Sequence, residues 1–312
     1  MKKSTRVSVL TLLVTSSLLI AVTPAYADPW SNTVTVGGTE WNVDDDAAAI
    51  SHTYGGGLDS TIHRFGGLRI SDWGPWCDTA TAVMSTDAAT GDVIIMCDAQ
   101  ESLNDSGLFV TPQYRLYAGG DLARMFFTIE NRSASDITAT NFYLIDEYDC
   151  YDLNHSSSGG TGYEPAATDT WNMTSQAGCM VGGTAWAVTG NTSTMTSGHI
   201  YDDEEIVHDF VDLVFPAGST KYVASFAISV TPTSSDEADA LAALATAVAA
   251  APQFDTFSGR LVAGLPAGIT VINWGGVAAA PALAATGSDA SAMLPIGIVG
   301  GVVLLAGIAL LI

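Results

Sequence analysis

Short runs of β-branched and aromatic residues, separated by clusters of Gly, Asp, Asn and Ser, recur along the middle of the chain. This spacing is typical of many antiparallel strands and argues against a helical or a parallel α/β fold. The sequence therefore predicts a mainly β fold, an antiparallel β-sandwich. The candidate strands are residues 33–36, 49–54, 68–72, 80–85, 93–97, 109–118, 122–131, 137–146, 184–189, 209–215, 222–231 and 269–274.

One segment near residue 240 has the pattern of a soluble α-helix. Ser234 and Glu237 have the spacing of a capping box, an Ala/Leu run follows, and Pro252 ends it. We expect this helix to pack against a sheet of the sandwich. The apolar residues that would share its packed face are Leu241, Leu244 and Val248.

The N-terminus has the order of a secretory signal. Basic residues precede an apolar run over residues 7–22, and a small-residue triplet over residues 25–27 follows. We predict a signal helix in residues 1–27 that is cleaved between Ala27 and Asp28. The alternative is an uncleaved membrane anchor.

The C-terminus holds a second apolar segment, residues 292–312, which contains no charged residue in 21 positions. At 1.5 Å per residue it is long enough to cross a bilayer core of about 30 Å as a transmembrane helix. A short polar spacer, residues 288–291, precedes it. Before the spacer stands a pentapeptide made of Leu283, Ala284, Ala285, Thr286 and Gly287.

This pentapeptide resembles an LAxTG variant of the LPxTG sorting motif, the signal of sortase-anchored surface proteins of high-GC Gram-positive bacteria. The resemblance implies that a sortase cuts between Thr286 and Gly287 and joins the protein to cell-wall peptidoglycan. Such signals usually end in Lys or Arg, and none follows the apolar segment here. Covalent attachment and a permanent membrane helix therefore both stay open as modes of anchoring.

Residues 28–276 are expected to form one extracellular β-sandwich domain, and residues 277–291 a linker with the sorting motif. The order of Glu130-Asn131-Arg132-Ser133, the segment 215–220 and a final Ile272-Asn273-Trp274 resembles uncharacterised exported β-sandwich domains of high-GC bacteria. That resemblance implies the fold and the location of the domain, but it implies no activity.

The charge of the chain limits its partners. It has 33 acidic and 10 basic residues and a formal charge of -23. Setting aside Lys2, Lys3 and Arg6 at the N-terminus, and Asp289 at the other end, leaves -25 on the exported part. Nucleic acids and anionic lipid surfaces are recognised by Lys and Arg, so neither is expected as a partner.

All four cysteines lie in the exported part, where an even count predicts two disulfides. Three connectivities are possible, and pairing of neighbours is favoured because Cys77 and Cys97 flank two β-like runs around the turn 87–92. We predict the bridges Cys77–Cys97 and Cys150–Cys179. A metal-thiolate or redox pair is the alternative, although no C-x-x-C is present.

Carboxylates beside Cys150 form the best candidate metal site. Calcium takes six to eight oxygen ligands, and a disulfide would hold this loop in place. The alternative is a solvated acidic loop. The residues of the predicted site, with Ca²⁺ as the cofactor it would take, are Asp146, Glu147, Asp149 and Asp152.

Aromatic residues in polar loops suggest carbohydrate binding, because sugar rings stack on exposed aromatic faces. The candidates are Trp73, Trp76, Tyr151 and Trp171. The alternative is that these rings pin loops against the sandwich. Lys221 could form an isopeptide bond with Asn273, against the alternative of an ordinary surface lysine.

These observations predict an extracellular protein, anchored to the wall or membrane, with a non-catalytic role that is adhesive, carbohydrate-binding or structural. Its expected partners are sortase and peptidoglycan, the membrane through the C-terminal helix, and a carbohydrate or a ligand on a host or neighbouring cell. The alternative is an anchored glycan-processing enzyme, for which Glu130, Glu147 and Asp149 could supply paired carboxylates.

Overall fold

The computed structural model describes residues 33–44, 49–55, 58–59, 62–148, 153–156, 171–175, 185–188, 197–201, 205–210, 213–230, 233–234 and 236–276. These contain one α-helix, α1 (Glu237–Ala250), and two short 3-10 helices, Ala251–Phe254 and Gly259–Val262. The strands are β1 (Thr33–Val36), β2 (Thr39–Asp44), β3 (Ala49–Gly55), β4 (Leu58–Asp59), β5 (Ile62–Ile70), β6 (Val83–Thr86), β7 (Val93–Met96), β8 (Gln100–Glu101), β9 (Leu108–Leu116), β10 (Leu122–Asn131), β11 (Ile137–Ala139), β12 (Phe142–Tyr148), β13 (Leu153–Ser156), β14 (Asn172–Ser175), β15 (Ala185–Val188), β16 (Ser197–Tyr201), β17 (Glu205–Asp209), β18 (Leu213–Phe215), β19 (Thr220–Ser229), β20 (Thr270–Val271) and β21 (Gly275–Gly276).

The strands form two large sheets and one small one. The first sheet has the order β1-β2-β3-β5-β12-β17-β16, with β4 beside β3. The second sheet has the order β13-β14-β15-β19-β10-β9-β7-β6, with β8 beside β9 and β20 and β21 beside β19. Strands β11 and β18 pair separately. The pairings are antiparallel, apart from the parallel contact of β19 with β20.

A hydrophobic core lies between the two large sheets. The first sheet contributes buried side chains such as Trp41 and Phe65, and the second contributes Tyr114 and Phe127. The sheets approach closely at Gly66, where a Cβ atom would lie 2.9 Å from the Cβ of Ser225 and φ is +66°. A side chain there would separate the layers, so glycine is required. The fold is thus mainly β and a sandwich, as predicted.

A third layer covers part of the outer face of the second sheet. Residues 236–274 pack on β10 and β19 and bury a second apolar cluster. Its centre is aromatic: Phe226, Phe254, Phe257 and Trp274 contact one another at centroid distances of 5.4 to 6.0 Å.

The end of this layer is fastened to β19 by side chains. Asn273 accepts a hydrogen bond from the Ala224 N–H at 3.1 Å and donates one to its carbonyl at 2.6 Å. The indole Nε1 of Trp274 donates to the same carbonyl at 2.8 Å. We call these three bonds the Ala224 clamp.

The predicted helix exists, but its capping differs from the prediction. It begins at Glu237 after an N-cap, Asp236, whose side chain makes no capping bond. Ser234 instead donates to Asp239 at 2.6 Å, so the capping box with Glu237 is wrong. The packed face is also rotated: Leu244 is buried, whereas Leu241 is exposed, because Ala243 and Ala247 take the inner positions.

Three predicted strands are corrected. Residues 209–215 divide between β17, in the first sheet, and β18, which pairs with β11. Residues 137–146 divide at Asn141, whose φ is 52°. The last strand shrinks to Thr270–Val271 because Asn273 and Trp274 form the Ala224 clamp instead.

The predicted signal helix, the linker with its sorting motif and the predicted transmembrane helix lie outside the described residues. Among the residues that are described, no helix combines the length and apolar character that crossing a membrane requires.

Candidate functional site: the disulfide-bridged hairpin

Strands β6 and β7 form a hairpin closed by a disulfide. Cys77 and Cys97 are bonded, with their Cα atoms 5.3 Å apart and a sequence separation of 20. Cys77 precedes β6 and Cys97 directly follows β7, so the bridge joins the two open ends of the hairpin. This pairing was predicted and is confirmed. The predicted bridge Cys150–Cys179 lies outside the described residues.

Exposed apolar side chains concentrate on this hairpin and its flanks. Of the seven large apolar side chains that are well exposed in the described part of the chain, five lie between residues 76 and 103. Val83 is 63% exposed and Leu103 is 80% exposed. We call the five the hairpin patch: Trp76, Val83, Met84, Met96 and Leu103. Val83 and Met96 face each other across the hairpin and share one of its faces, whereas Met84 lies beside the buried Ile95 on the other face. Exposed apolar side chains on a fixed hairpin of so acidic a chain are a candidate contact surface.

Trp76 is held rigidly at one end of the hairpin patch. Its indole is 42% exposed, and the edge of Trp73 meets it at a centroid distance of 6.3 Å. The Trp76 N–H donates to the Gln100 Oε1 at 3.0 Å, and the Gln100 Nε2 donates back to the Trp76 carbonyl. The next residue, Cys77, is in the disulfide. The backbone of Trp76 is thus fixed and Trp73 contacts its ring, so ordering this residue on binding costs less conformational entropy.

The loop that carries Trp76 begins with a strained turn. Ser71 and Asp72 have φ of 47° and 64°, and Ile70 and Trp73 exchange backbone hydrogen bonds of 2.7 and 2.9 Å across them. This is a two-residue hairpin turn of the kind that Asn-Gly usually forms. Each non-Gly residue held there costs about 1–3 kcal/mol, and such strain clusters at functional sites. Hydrogen bonds from the Ser71 N–H and Oγ to the Thr140 carbonyl hold the turn.

The predicted stacking residues have different positions. Trp73 and Trp171 are each only 6% exposed, and the Trp171 Nε1 donates to the Asp255 Oδ1 at 2.9 Å. Both therefore pin loops, and neither offers a ring face to a sugar, because the core covers it. Trp76 remains exposed. Tyr151 lies outside the described residues.

The predicted metal site is not placed. Asp146 and Glu147 belong to β12, but their side chains, with Asp149 and Asp152, lie outside the described part. Among the side chains that are described, no three His, Cys, Asp or Glu residues gather as metal ligands. Glu130, a candidate for paired-carboxylate catalysis, accepts a hydrogen bond from the Arg132 Nε at 3.0 Å.

A buried arginine joins the turn of the hairpin to the sheet. Arg115, in β9, is 1% exposed, and its Nε donates to the Asp92 Oδ2 at 2.7 Å. Its Nη2 donates to the Asp87 Oδ2 at 2.7 Å, and the other Asp92 oxygen accepts from the Ala118 N–H at 2.9 Å. The hydrogen bond from Arg115 is the largest cause that lowers the pKa of Asp87 below its usual value.

A second buried arginine binds the C-terminal layer. The Arg124 Nη1, in β10, donates to the carbonyls of Leu261 and Ala263 at 2.7 and 3.0 Å, and its Nη2 donates to the Gln113 Oε1 at 3.2 Å. Burial lowers the pKa of Arg124 to about 10. Sequence reasoning missed both arginines, although a single Arg inside each of two apolar strands was a visible signal.

The predicted isopeptide bond between Lys221 and Asn273 stays a prediction. The Lys221 Nζ lies 5.4 Å from the centroid of the Phe215 ring. Both polar atoms of the Asn273 side chain are used in the Ala224 clamp.

No family model matches the chain, and no curated protein matches it. Among solved structures, it is similar to a TPR-domain containing protein from Parabacteroides distasonis, with a TM-score of 0.41 and 9% identity over 63% of this chain and 46% of that one. It is also similar to a galactose mutarotase-like protein from Lactobacillus casei, with a TM-score of 0.38 and 8% identity over 63% of this chain and 98% of that one. A polysaccharide lyase is similar with a TM-score of 0.35 and 8% identity, over 69% of this chain and 35% of that one. Similarities at this level carry no conclusion about activity.

Proposed function

We propose that this protein is exported, anchored at the cell surface and adhesive without being catalytic, with the hairpin patch as its contact surface. The observation that carries the proposal is the presence of five exposed apolar side chains on one disulfide-bridged hairpin and its flanks, in a chain with a charge of -23.

The composition of the hairpin patch supports a contact role. Trp and Met are enriched at the centres of protein interfaces, where charged residues are depleted. Trp76, Met84 and Met96 belong to these types, and residues 79–86 contain no charge. The disulfide fixes the hairpin before any partner arrives, so binding does not have to order it.

The surface location rests on the sequence. A signal region, an acidic domain, an LAATG motif and a terminal apolar segment follow one another in the order of anchored surface proteins. The bridge Cys77–Cys97 supports export, because disulfides persist in oxidising compartments.

Carbohydrate binding is the second candidate, and the exposed ring of Trp76 favours it. A rigid indole is a stacking platform for a sugar ring. The predicted calcium site near Cys150 would then give binding a calcium dependence.

Both candidates can be tested with cells that display the full chain. We expect these cells to bind neighbouring cells or glycans on an array, and Trp76→Ala to lose the binding. The matched control is Leu241→Ser, an exposed apolar position on α1 outside the hairpin patch. Binding that survives Trp76→Ala, or is lost equally in the control, contradicts the assignment of the hairpin patch. The array is run with and without calcium, and an absence of glycan binding in both removes the carbohydrate candidate.

Anchoring is tested by fractionation. We expect the protein to stay in the wall fraction after detergent extraction, and Thr286→Ala to shift it to the detergent-soluble fraction. Release of the unmodified protein by detergent alone would instead support the permanent membrane helix.

A further inference from the structure

Among the residues that the structure describes, strand β6 is the last strand in the order of the second sheet, and it pairs with β7 on one side. All four of its residues are exposed. The N–H of Asp87 donates to the Asp92 carbonyl at 2.8 Å across the hairpin, which fixes the alternation of the ladder. Val83 and Ser85 therefore bond to β7, and the N–H and C=O groups of Met84 and Thr86 point away from it, toward the open edge.

This edge has few of the features that usually block strand addition. Edge strands are normally protected by charge, by proline, by bulges or by being very short, and of these β6 has only its length of four residues. Residues 79–86 contain neither a charge nor a proline, and the pairing of β6 with β7 has no bulge. The next residue, Asp87, is acidic, but its carboxylate is paired with the guanidinium of Arg115. The edge is thus a straight, uncharged template for another strand.

We propose that the open edge of β6 binds the β6 edge of a second copy of this chain. The two strands run antiparallel about a two-fold axis at Ser85, so that Met84 faces Thr86 of the other copy. Four backbone hydrogen bonds form, and the two second sheets become continuous. This pairing deepens the proposed adhesive function by naming its partner, and it rests on that function only for its biological role.

The self-complementarity of the edge favours a second copy over a foreign strand. In the two-fold register the outward N–H and C=O groups of Met84 meet those of Thr86 in the other copy, and the uncharged edge adds no repulsion at the contact itself. In the two-fold register no like charges face each other, because Val83 lies opposite Asp87 of the second copy. Val83, which is 63% exposed, becomes covered in the pair.

The same charges make the pairing depend on salt. Each exported domain carries -25, so two copies repel beyond the contact itself. The screening length falls from about 10 Å at 0.1 M salt to about 3 Å at 1 M. We therefore expect association to strengthen with salt, whereas an association held by ion pairs would weaken.

Cross-linking of the full chain on the cell surface tests the register. The two Ser85 residues face each other as a non-hydrogen-bonded pair, with Cα atoms about 4.5 Å apart, within the range of a disulfide. Ser85→Cys should give a reducible dimer on oxidation. The control is Thr220→Cys, which is exposed on β19. Equal dimer from both variants at low and high salt would overturn the proposal.

Blocking the edge supplies the second test. Thr86→Pro removes an N–H that faces away from β7, so the hairpin keeps its bonds while strand addition loses a donor. In the Ser85→Cys background it should reduce the dimer about tenfold, in line with the loss of one ladder bond per copy. An unchanged yield overturns the proposal. If cross-linking fails while Trp76→Ala still abolishes binding, the self-pairing is wrong and the proposed function stands.

Discussion

Replacing Arg115 by methionine should destabilise the protein strongly, because it leaves a carboxylate buried without its cation. Asp92 is only 4% exposed, and after the change its remaining hydrogen bond is the one from Ala118. Removing one partner of a buried ion pair costs about 3–5 kcal/mol. In a domain of this size each kcal/mol lowers Tm by about 2–4 °C, so we expect a decrease of about 6–20 °C.

This variant should lose a pH-dependent contribution to stability that the unmodified protein has. In the latter, the pKa of Asp87 is lowered from 3.8, so its contribution to stability is present at neutral pH and is lost as the pH falls through the lowered pKa. In Arg115→Met that contribution is absent. Lowering the pH through the range of the lowered Asp87 pKa should therefore cost the unmodified protein more stability than it costs the variant.

Thermal and urea unfolding at pH 7 and at about pH 3, with the disulfide intact, measure these effects. A double-mutant cycle with Asp92→Asn isolates the pair, since asparagine can still accept the bond from Ala118. We expect the double variant to be more stable than the sum of the single changes predicts. Arg260→Met is the surface control, because its pair with Asp121 is nearly half exposed, and it should cost no more than about 1 kcal/mol. A similar small loss for Arg115→Met, or strict additivity in the cycle, would refute the reasoning.

Three further results are expected. Replacing both cysteines of the 77–97 bridge by alanine should lower the free energy of unfolding by about 3 kcal/mol in urea titrations, and no change would exclude a stabilising role. Gly37→Ala should lower Tm far more than Gly38→Ala: both have positive φ, but only at Gly37 would the new Cβ lie 2.4 Å from a backbone carbon of the facing turn. Asp255→Ala should cost about 1–3 kcal/mol and change the fluorescence of Trp171, whose buried indole N–H would lose its acceptor; an unchanged spectrum would show that the bond does not hold the ring.

Features encoded by neighbouring residues were predictable. The bounds of β10 were correct because its apolar run and flanking turns are local, and Cys77 and Cys97 were paired through the turn between them. Residues 209–215 were wrongly predicted as one strand. The apolar run does not reveal that the chain leaves the first sheet after β17 and then pairs with β11 as β18.

Features that depend on distant contacts were not predictable. Arg124 binds carbonyls 137 and 139 residues away, and no local pattern identifies such partners. The aromatic loop residues show the same limit: Trp73 and Trp76 stand in one polar loop, yet only the packed fold determines that the first is buried and the second exposed.

If the protein is anchored through its C-terminal segment as proposed, the Ala224 clamp has a mechanical consequence. A pull on the linker beyond residue 276 would reach the domain through β21 and β20, and β20 meets β19 at one registered pair, Tyr222 with Val271. The three side-chain bonds of the clamp would then share the load with that short contact. A force from a partner on β6 would enter at the opposite end of the row β20-β19-β10-β9-β7-β6, where the outermost hairpin is closed by a covalent bond. The first part to yield under tension should therefore be the C-terminal layer, with the hairpin patch still intact.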